Sequence, residues 1–297
     1  MIQRRQFRLR LAKQTLILGR RTLLMGVLNI TPDSFSDGGE FLEPRKAIAQ
    51  AIALQNAGAD ILDIGAESTR PGSLPTSATE ELGRLLPVLQ ALRGKLKIPI
   101  SIDTRKSTVA EIALGAGAQI LNDVSGLNYD PRLAEVAARH KVPLVLMHMR
   151  GEPQTMQKTP FARDVMKDVT QGLRHSIARA RAAGVAKCQI ILDLGIGFGK
   201  TFRQNYELLA NLPQLAKLGF PLLVGTSRKG FLGATLARDG KAKSVPANER
   251  LWATAATVTA SILGGAHIIR VHDVHAMLQV ARTADCVLNP TQIPLTL

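Results

Sequence analysis

The chain contains little cysteine and no long, strongly apolar segment. Its two cysteines, Cys188 and Cys286, lie far apart and form neither a CxxC metal half-site nor a disulfide framework, so we expect two buried thiols in a reducing, cytoplasmic setting. The N-terminal MIQRRQFRLRL lacks the apolar core of a signal peptide. The longest uncharged run, residues 253–269, is too weakly apolar for a membrane span of about 20 residues and fits a buried or half-buried helix better. We therefore expect neither export by that route nor a membrane partner.

Acidic and aromatic residues are also scarce. The chain has 23 aspartates and glutamates against 38 lysines and arginines, which gives a formal net charge of +15, and only 4% of its residues are aromatic. A basic excess is compatible with a nucleic-acid surface or with a soluble protein that binds an anionic substrate. Residues 1–21 carry seven cations and no acid, but they lack the alternating aromatic residues of a base-stacking platform. We therefore expect a solvated basic face and no nucleic-acid partner.

The chain does contain a repeated pattern of strand and helix. Eight short runs, most of them nearly continuous in Val, Ile and Leu, alternate with Ala-rich helical stretches that often end at glycine. Such alternation predicts right-handed βαβ crossovers and a parallel sheet that is buried on both faces. The eight runs are residues 23–28, 60–65, 98–102, 119–121, 143–147, 189–194, 221–225 and 267–271.

Eight such units in 297 residues predict a single α/β domain, a (β/α)8 TIM barrel, because barrels of this kind occupy about 250 residues. An open doubly wound sheet is the alternative. That fold predicts a GxGxxG phosphate loop after its first strand, which LNITPDSFSDGG does not supply. We expect residues 1–22 to form a short β-hairpin below the barrel, residues 23–287 the barrel, and residues 288–297 a tail.

Polar residues follow nearly every predicted strand. In a parallel barrel these positions converge on one mouth, which is where ligands bind. Each residue is alternatively a cap of the following helix, which is the simpler interpretation for Ser68, but the varied chemistry of the whole set argues against caps alone. The strand-end residues are Asn29, Glu67 to Arg70, Asp103, Asn122, His148, Asp193, Ser227 to Lys229, Arg270 and His272.

Two motifs resemble ligand sites without meeting their requirements. GIGFGKT, at residues 195–201, would need glycine at position 194 to be a P-loop, and the chain has Leu194 there. The histidines of HDVH, residues 272–275, have no third ligand, so zinc is not expected. His148 is interpreted as a hydrogen-bonded wall residue of the barrel.

Several strand-end residues suit an anion. Arg70, Arg270 and His272 can hold a diphosphate through charge-assisted hydrogen bonds, and arginine offers the bidentate fork that phosphate oxygens accept. Asn29 offers a neutral oxygen to a hydrated Mg²⁺, which uses few protein ligands beside substrate phosphates. These residues predict a phosphorylated substrate.

The remaining strand-end residues suit a flat heterocycle. Asp103, Asn122, Asp193 and Lys229 supply the donors and acceptors that the edge of a pterin or purine requires. For Asp103 and Lys229 the alternative is a purely structural salt bridge, since buried ion pairs can lack any other role.

A series of long motifs runs through the chain: LNITPDSFSDGG, DIGAESTRPG, SIDT, ILNDVSG, LMHMRG, ILDLGIGFGK, GTSRKGFLG and GGAHIIRVHDV. By these motifs, residues 23–285 closely resemble the dihydropteroate synthase family. The resemblance implies the (β/α)8 barrel and a reaction of folate biosynthesis. In that reaction 6-hydroxymethyl-7,8-dihydropterin diphosphate condenses with p-aminobenzoate, with Mg²⁺, to give 7,8-dihydropteroate and pyrophosphate. It also implies a homodimer and inhibition by sulfonamides.

The resemblance further implies roles for individual residues. It places the pterin ring against Asp103, Asn122, Met147, Asp193, Gly225 and Lys229. It places the diphosphate against Asn29, Arg70, Arg270 and His272, with Mg²⁺ at Asn29, and p-aminobenzoate against Phe35, Thr69, Pro71 and Ser227. Pyrophosphate would leave first, and Asp37 would face the resulting pterin cation, so the predicted catalytic residues are Asp37, Arg70, Lys229 and Arg270.

Three residues depart from the family pattern. Gly230 stands where many members have serine after SRK, Leu194 where proline is usual, and Arg105 where a small polar residue is common. Gly230 alone favours a second possibility, a degenerate pterin-binding homologue without activity. A pterin-binding methyltransferase barrel is a third, but it has no need of LNITPDSFSDGG, SRK or RVHD.

Overall fold

The structure is a computed structural model that describes residues 4–12, 14–31, 43–69, 72–158, 162–237 and 244–292. Its strands are β1 (Phe7–Arg10), β2 (Thr15–Leu18), β3 (Leu23–Asn29), β4 (Ile61–Gly65), β5 (Ile100–Asp103), β6 (Ile120–Asp123), β7 (Leu144–Met147), β8 (Ile190–Asp193), β9 (Leu222–Val224) and β10 (Ile268–Val271). Its helices are α1 (Glu43–Asn56), α2 (Ala78–Leu92), α3 (Ser107–Gly115), α4 (Arg132–His140), α5 (Val165–Ala182), α6 (Phe202–Ala210), α7 (Leu212–Ala216), α8 (Gly230–Leu236), α9 (Leu251–Leu263) and α10 (Val274–Leu288).

Strands β3 to β10 form a closed parallel barrel. Each strand pairs with the next one along the chain, and β10 pairs back with β3 through Ile268 to Val271. All eight begin within two residues of a run predicted from the sequence. The (β/α)8 prediction is therefore confirmed, and the open sheet is excluded because the first and last barrel strands are hydrogen-bonded to each other.

The barrel strands separate two apolar cores because successive side chains of a strand point to opposite faces. In β4, Leu62 and Ile64 belong to the core between the barrel and its helices, whereas Ile61 belongs to a core inside the barrel. Side chains two residues beyond an inward residue also point inward, nearer the carboxyl end of the strand. The inward residues that correspond to Ile61 are Met25, Ile120, Val145, Ile191, Leu223 and Ile268.

Strands β1 and β2 form an antiparallel hairpin at the amino-terminal end of the barrel, with Phe7 opposite Leu18. Leu9 and Leu18 are buried in the same core as the inward barrel residues. The ring of Phe7 meets His267 edge-on, with ring centroids 5.2 Å apart. The predicted hairpin is confirmed, and it covers the end of the barrel opposite to the strand-end polar residues.

Glycines end the helices as the sequence predicts. Gly58 follows α1 with φ of 101°, a left-handed conformation that side chains rarely adopt. A β-carbon on Gly58 would also lie 2.6 Å from Leu278 of α10. The backbone conformation therefore favours glycine strongly at this position, and the Leu278 side chain would have to shift for any other residue.

The uncharged run 253–269 forms most of α9 and the first two residues of β10, and α9 is half-buried, in agreement with the prediction of a buried or half-buried helix. Trp252, in its first turn, is 81% exposed. Within the described ranges, no helix combines the length and the apolar character needed to cross a membrane.

The prediction of two buried thiols is wrong. Cys188 is exposed because it lies in a 3₁₀ turn, Lys187–Gln189, at the surface between α5 and β8. Cys286 is half-buried near the end of α10, one position before the exposed Val287. Both cysteines are free.

Candidate functional site

The register of the barrel brings the strand-end residues to one level. Asn29 pairs with Gly65, Gly65 with Asp103, and Asp103 with Asn122, so these four residues occupy consecutive strands at the same height. Across β7 and β8, Met147 pairs with Asp193. The predicted convergence on one mouth is confirmed for these residues.

Strand parity explains which side chains enter the mouth. Four of the predicted pterin residues lie two positions after an inward apolar residue: Asn122 after Ile120, Met147 after Val145, Asp193 after Ile191 and Gly225 after Leu223. Asn122, Met147 and Asp193 are buried, and Gly225 is half-buried beside the β-carbon of Arg270. These residues therefore form one inward-facing layer above the barrel core.

A charged network crosses this layer. The guanidinium of Arg270 donates from Nε to Asp63 Oδ2 at 2.7 Å and from Nη2 to Asp103 Oδ2 at 2.9 Å. Asn122 donates from Nδ2 to the same Asp63 oxygen at 3.0 Å. Oδ1 of Asn122 and Oδ1 of Asp63 are buried without a hydrogen-bond partner in the described part of the chain. Buried acceptors without partners are costly, so this pair of oxygens suits a ligand or water that donates.

Asp63 is a site residue that sequence reasoning missed. It lies inside the run DILDIG, between two residues of the outer core, and the pattern of this run predicts only a strand. The signal in the sequence is the alternation of side chains along a strand, because Asp63 lies two positions after the inward Ile61 and so also points into the barrel. Its side chain is completely buried. A charge inside an otherwise apolar parallel strand is rare unless it is paired, and here Arg270 is the partner.

Burial changes the protonation behaviour of the carboxylates. Desolvation raises the pKa of Asp103 to about 7, although the nearby Arg270 opposes this shift. Desolvation likewise raises the pKa of Asp193, whose Oδ1 accepts a hydrogen bond from the Gly195 amide at 2.8 Å. The site therefore favours groups that offer protons to these carboxylates, such as the ring N–H and amino groups of a pterin.

Lys229 lies against an aromatic ring rather than a carboxylate. Its Nζ is 4.0 Å from the ring centroid of Phe198, and desolvation together with Arg270 lowers its pKa to about 8. The alternative of a structural salt bridge between Asp103 and Lys229 is wrong, because the ion pair of Asp103 is with Arg270. Phe198 was also missed from the sequence, where GIGFGKT was considered only as a phosphate loop.

The GIGFGKT segment is not a phosphate loop, as predicted. Nζ of the buried Lys200 donates to three backbone carbonyls, those of His148, Gly195 and Phe198, at 2.9 to 3.0 Å. These bonds hold the loop that carries Phe198 and leave the ammonium group committed to the backbone. Lys200 is thus a structural residue next to the site.

His148 only partly fits its prediction. It lines the wall after β7, but its Nδ1 has no hydrogen-bond partner within the described ranges and its Nε2 is 3.5 Å from Asp168. Desolvation lowers its pKa to about 2, so the ring is neutral. The ring packs on the backbone of Gly172 in α5, which explains why packing, and not a hydrogen bond, holds it.

Ser227 and His272 form a second polar pair at the mouth. Ser227 Oγ is 3.0 Å from His272 Nδ1 and accepts a hydrogen bond from the His272 amide at 3.2 Å. Desolvation, with Arg270 and Arg228 nearby, lowers the pKa of His272 to about 3. At neutral pH the imidazole of His272 is therefore uncharged and can bind a diphosphate by a hydrogen bond but not by a positive charge of its own.

Some predicted residues lie outside the described ranges. They are Phe35, Asp37, Arg70 and Pro71. Thr69 is described and half-buried, in the loop after β4, and Asn29 is half-buried at the end of β3. Among the described residues, no group of three or more His, Cys, Asp and Glu side chains could hold a metal ion.

Comparison with known proteins agrees with this arrangement. Residues 25–272 match the model of the family described as pterin binding enzyme. The dihydropteroate synthase of Synechocystis sp. is 52% identical over 267 residues, which cover 90% of each chain. A structure of Xanthomonas albilineans dihydropteroate synthase with 4-aminobenzoic acid superposes with a TM-score of 0.88 at 38% identity, covering 98% of this chain and 100% of that one. The Yersinia pestis enzyme in a sulfonamide drug complex gives a TM-score of 0.85 at 41% identity, covering 96% and 99%.

The barrel and its inward polar layer thus define a pterin-binding barrel enzyme, and the chain belongs to the pterin-binding enzyme family. Within that family it is a member of the dihydropteroate synthases.

Proposed function

We propose that this protein is a transferase that joins 6-hydroxymethyl-7,8-dihydropterin diphosphate to p-aminobenzoate, forming 7,8-dihydropteroate and pyrophosphate in folate biosynthesis. The observation that carries the proposal is the inward layer in which Arg270 joins Asp63 and Asp103 beside Asn122, in a chain 52% identical to a dihydropteroate synthase. A methyltransferase barrel is not favoured, because relatives from Synechocystis sp., Bacillus subtilis and Escherichia coli that match 90% of the chain or more are named dihydropteroate synthase.

The pterin ring binds in the inward layer. Asp103 and Asp193 accept from its N–H groups, the free Oδ1 of Asn122 accepts from a further donor, and Lys229 donates to a ring acceptor. Met147 and Gly225 provide the apolar wall and the room for a flat ring. The deep position of these residues excludes water from one side of the ring.

The diphosphate lies where the positive charge of the mouth is concentrated. Arg270 supplies a guanidinium held in place by two carboxylates, and His272 supplies a neutral hydrogen bond. Arg70 is assigned to the same subsite by its place in the motif ESTRPG. Departure of pyrophosphate requires neutralisation of its developing charge, which these donors provide without reorganising.

Mg²⁺ fits the donor set at the mouth. Asn29 offers a neutral oxygen, and this suits an ion whose other ligands are phosphate oxygens and water. When bound, the ion would neutralise diphosphate charge and so assist the leaving group.

The second substrate occupies the outer part of the mouth. Thr69, from the loop after β4, and Ser227, after β9, border its position, with Phe35 and Pro71 assigned there by motif. The Yersinia pestis relative binds a sulfonamide drug, and we expect sulfonamides to compete with p-aminobenzoate here. Asp37 is assigned to the reacting centre, where a carboxylate would stabilise the pterin cation.

We further propose that the protein is a cytoplasmic homodimer. Helix α9 contacts α6 and α8, and α6 contacts α8 through Tyr206 and Phe231. These three helices expose four large apolar residues, Phe202, Tyr206, Leu236 and Trp252. Trp252 is 81% exposed, Phe202 54% and Leu236 46%. Large apolar residues exposed on neighbouring helices are typical of a subunit interface.

The decisive experiment supplies the purified protein with dihydropterin diphosphate, p-aminobenzoate and Mg²⁺ and measures dihydropteroate and pyrophosphate. Formation of both products in equal amounts is expected. Pterin binding without product would overturn the transferase assignment in favour of an inactive pterin-binding homologue. The variant Gly230→Ser tests the departure from the family pattern after SRK. If the wild-type protein is inactive and Gly230→Ser is active, the loss of activity is due to Gly230.

A further inference from the structure

Arg105, one of the departures from the family pattern, connects four loops around the mouth. From the loop after β5, its Nη2 donates to Glu67 Oε1 at 3.0 Å, in the loop after β4. Its Nη1 donates to Glu152 Oε2 at 2.7 Å, in the loop after β7. Its guanidinium carbon lies 4.0 Å from the ring centroid of Tyr129, in the loop after β6. The Arg105 side chain is almost completely buried, so these contacts constrain it on all sides.

Glu67 is the centre of this cluster. It accepts from Arg105, from Lys106 Nζ at 2.6 Å and from the Thr76 amide at 3.2 Å. Lys106 also reaches the buried Glu81 of α2 at 2.6 Å. Burial alone would raise the pKa of Glu67, yet hydrogen bonds from Arg105 and Lys106 hold that pKa below its usual range. Glu67 is therefore ionised at neutral pH and fixes the base of the loop after β4.

The same two loops meet at a second point. The Gly72 amide donates to the Pro153 carbonyl at 3.0 Å, so the loop after β4 contacts the loop after β7 through its backbone as well. Thr69 lies between these two connections, three residues before Gly72 and two after Glu67. The position of Thr69 thus depends on how firmly the two loops are held together.

The pterin layer, in contrast, is held independently of Arg105. Asp103 is fixed by Arg270, Asn122 by Asp63, and Asp193 by the Gly195 amide. None of these bonds includes Arg105, Glu67 or Glu152. Breaking the connection between the loops is therefore expected to weaken the binding of p-aminobenzoate and to leave the binding of the pterin unchanged.

We propose that Arg105 is a positioning residue that sets the affinity for p-aminobenzoate by tying the loop after β4 to the loop after β7 through Glu67 and Glu152. The inference rests on the proposed function, since it assigns the loop after β4 to the second substrate. Arg105 touches no reacting atom. Its effect passes through the placement of Thr69.

The test compares Arg105→Gln, Arg105→Lys and Glu152→Gln with Arg139→Gln. The last is the matched control, because Arg139 forms an exposed ion pair with Glu111 between α3 and α4, away from the mouth. Glu152→Gln removes one end of the connection at a side chain that is 57% exposed, so it is expected to fold even where a buried Arg105 variant does not. KM for each substrate, kcat and the melting temperature are measured for every variant.

Arg105→Gln is expected to raise KM for p-aminobenzoate by about tenfold, equivalent to about 1.4 kcal/mol, while KM for the pterin diphosphate and kcat stay within about twofold. Glu152→Gln raises the same KM by a smaller factor, and Arg105→Lys recovers part of the loss because lysine keeps the charge without the fork. Combining Arg105→Gln with Glu152→Gln is expected to raise this KM little beyond the effect of Arg105→Gln alone, since both substitutions break the same connection. The control changes neither KM.

An equal rise in both KM values, or a loss of stability with both KM values unchanged, would overturn the proposal. Amide exchange provides a second readout that does not depend on turnover. The amides of Gly72 and Thr76 are expected to exchange faster in Arg105→Gln and Glu152→Gln than in wild type, and unchanged protection contradicts the connection. Lack of turnover in the wild-type protein would contradict the proposed function. Amide exchange would then be the remaining test of whether Arg105 connects the loops after β4 and β7.

Discussion

Arg270 and Asp63 are separated by 207 residues in the chain and are joined by a hydrogen bond of 2.7 Å between Nε and Oδ2. Asp63 is completely buried, and the same oxygen accepts from Asn122. One carboxylate therefore orients both a guanidinium proposed to bind diphosphate and an amide proposed to bind the pterin.

Replacing Asp63 tests this shared role. Asp63→Asn keeps the size of the side chain but removes the charge that holds Arg270. Loss of one partner of a buried pair typically costs about 3–5 kcal/mol, and we expect less here because Arg270 keeps Asp103. We expect kcat/KM for the pterin diphosphate to fall by about 10 to 100-fold, as for other residues that orient a ligand-binding group.

The control is Asp60→Asn. Asp60 also pairs with an arginine, Arg21, at 2.5 Å, but on the hairpin side of the barrel. We expect this variant to keep the wild-type kcat/KM per folded molecule. Equal kinetic losses in the two variants would show that the effect of Asp63 is general destabilisation. Steady-state kinetics and urea unfolding distinguish the two cases.

Asp103 makes the stability of the protein depend on pH. Desolvation raises its pKa to about 7 from the ordinary 3.8, so the folded state binds this proton more tightly than the unfolded state. The stabilisation is therefore complete below about pH 4 and is lost as the pH rises through about 7. Asp103→Asn removes this dependence, so we expect the stability of the unliganded variant to change less than that of wild type between pH 4 and pH 8, while pterin binding is lost. Urea unfolding between pH 4 and pH 8 measures the free energy of unfolding of both proteins. Parallel pH profiles for wild type and Asp103→Asn would contradict the raised pKa of Asp103.

Asn29→Ala tests the proposed Mg²⁺ contact. We expect the Mg²⁺ concentration for half-maximal activity to rise by about tenfold, since one ligand oxygen of few is removed. Binding of a pterin without diphosphate, measured by calorimetry, is expected to stay unchanged because Asn29 is not part of the pterin layer. A wild-type response to Mg²⁺ would contradict the proposed contact.

Trp252→Glu tests the proposed dimer. Burying a carboxylate in an apolar interface without a partner is costly, so we expect the variant to be a monomer in light scattering at a concentration where wild type is a dimer. Ile112→Glu is the control, because Ile112 is also exposed but lies on α3. Identical masses for wild type and Trp252→Glu would place the interface elsewhere, or show that there is none.

The barrel could be predicted because its signals are local. Each barrel strand is a run of three to seven residues whose apolar character follows from burial on both faces, and a glycine such as Gly58 marks the end of a helix. The level of the site also followed from local sequence, since the end of a parallel strand determines the height of the residue after it. Asn29, Asp103, Asn122 and Asp193 were placed correctly for this reason.

The partner of each charge could not be predicted in this way, because it depends on closure of the barrel. Closure brings Arg270 of the last strand beside Asp63 and Asp103, which are 207 and 167 residues away, so Lys229 is left against Phe198. The exposure of Cys188 likewise depends on which surface a short turn occupies after packing. Local sequence determines where each strand lies, which of its side chains point into the barrel, and at what height along the barrel they stand. The contacts that set pKa values and fix the loops of the mouth arise only when distant strands become neighbours.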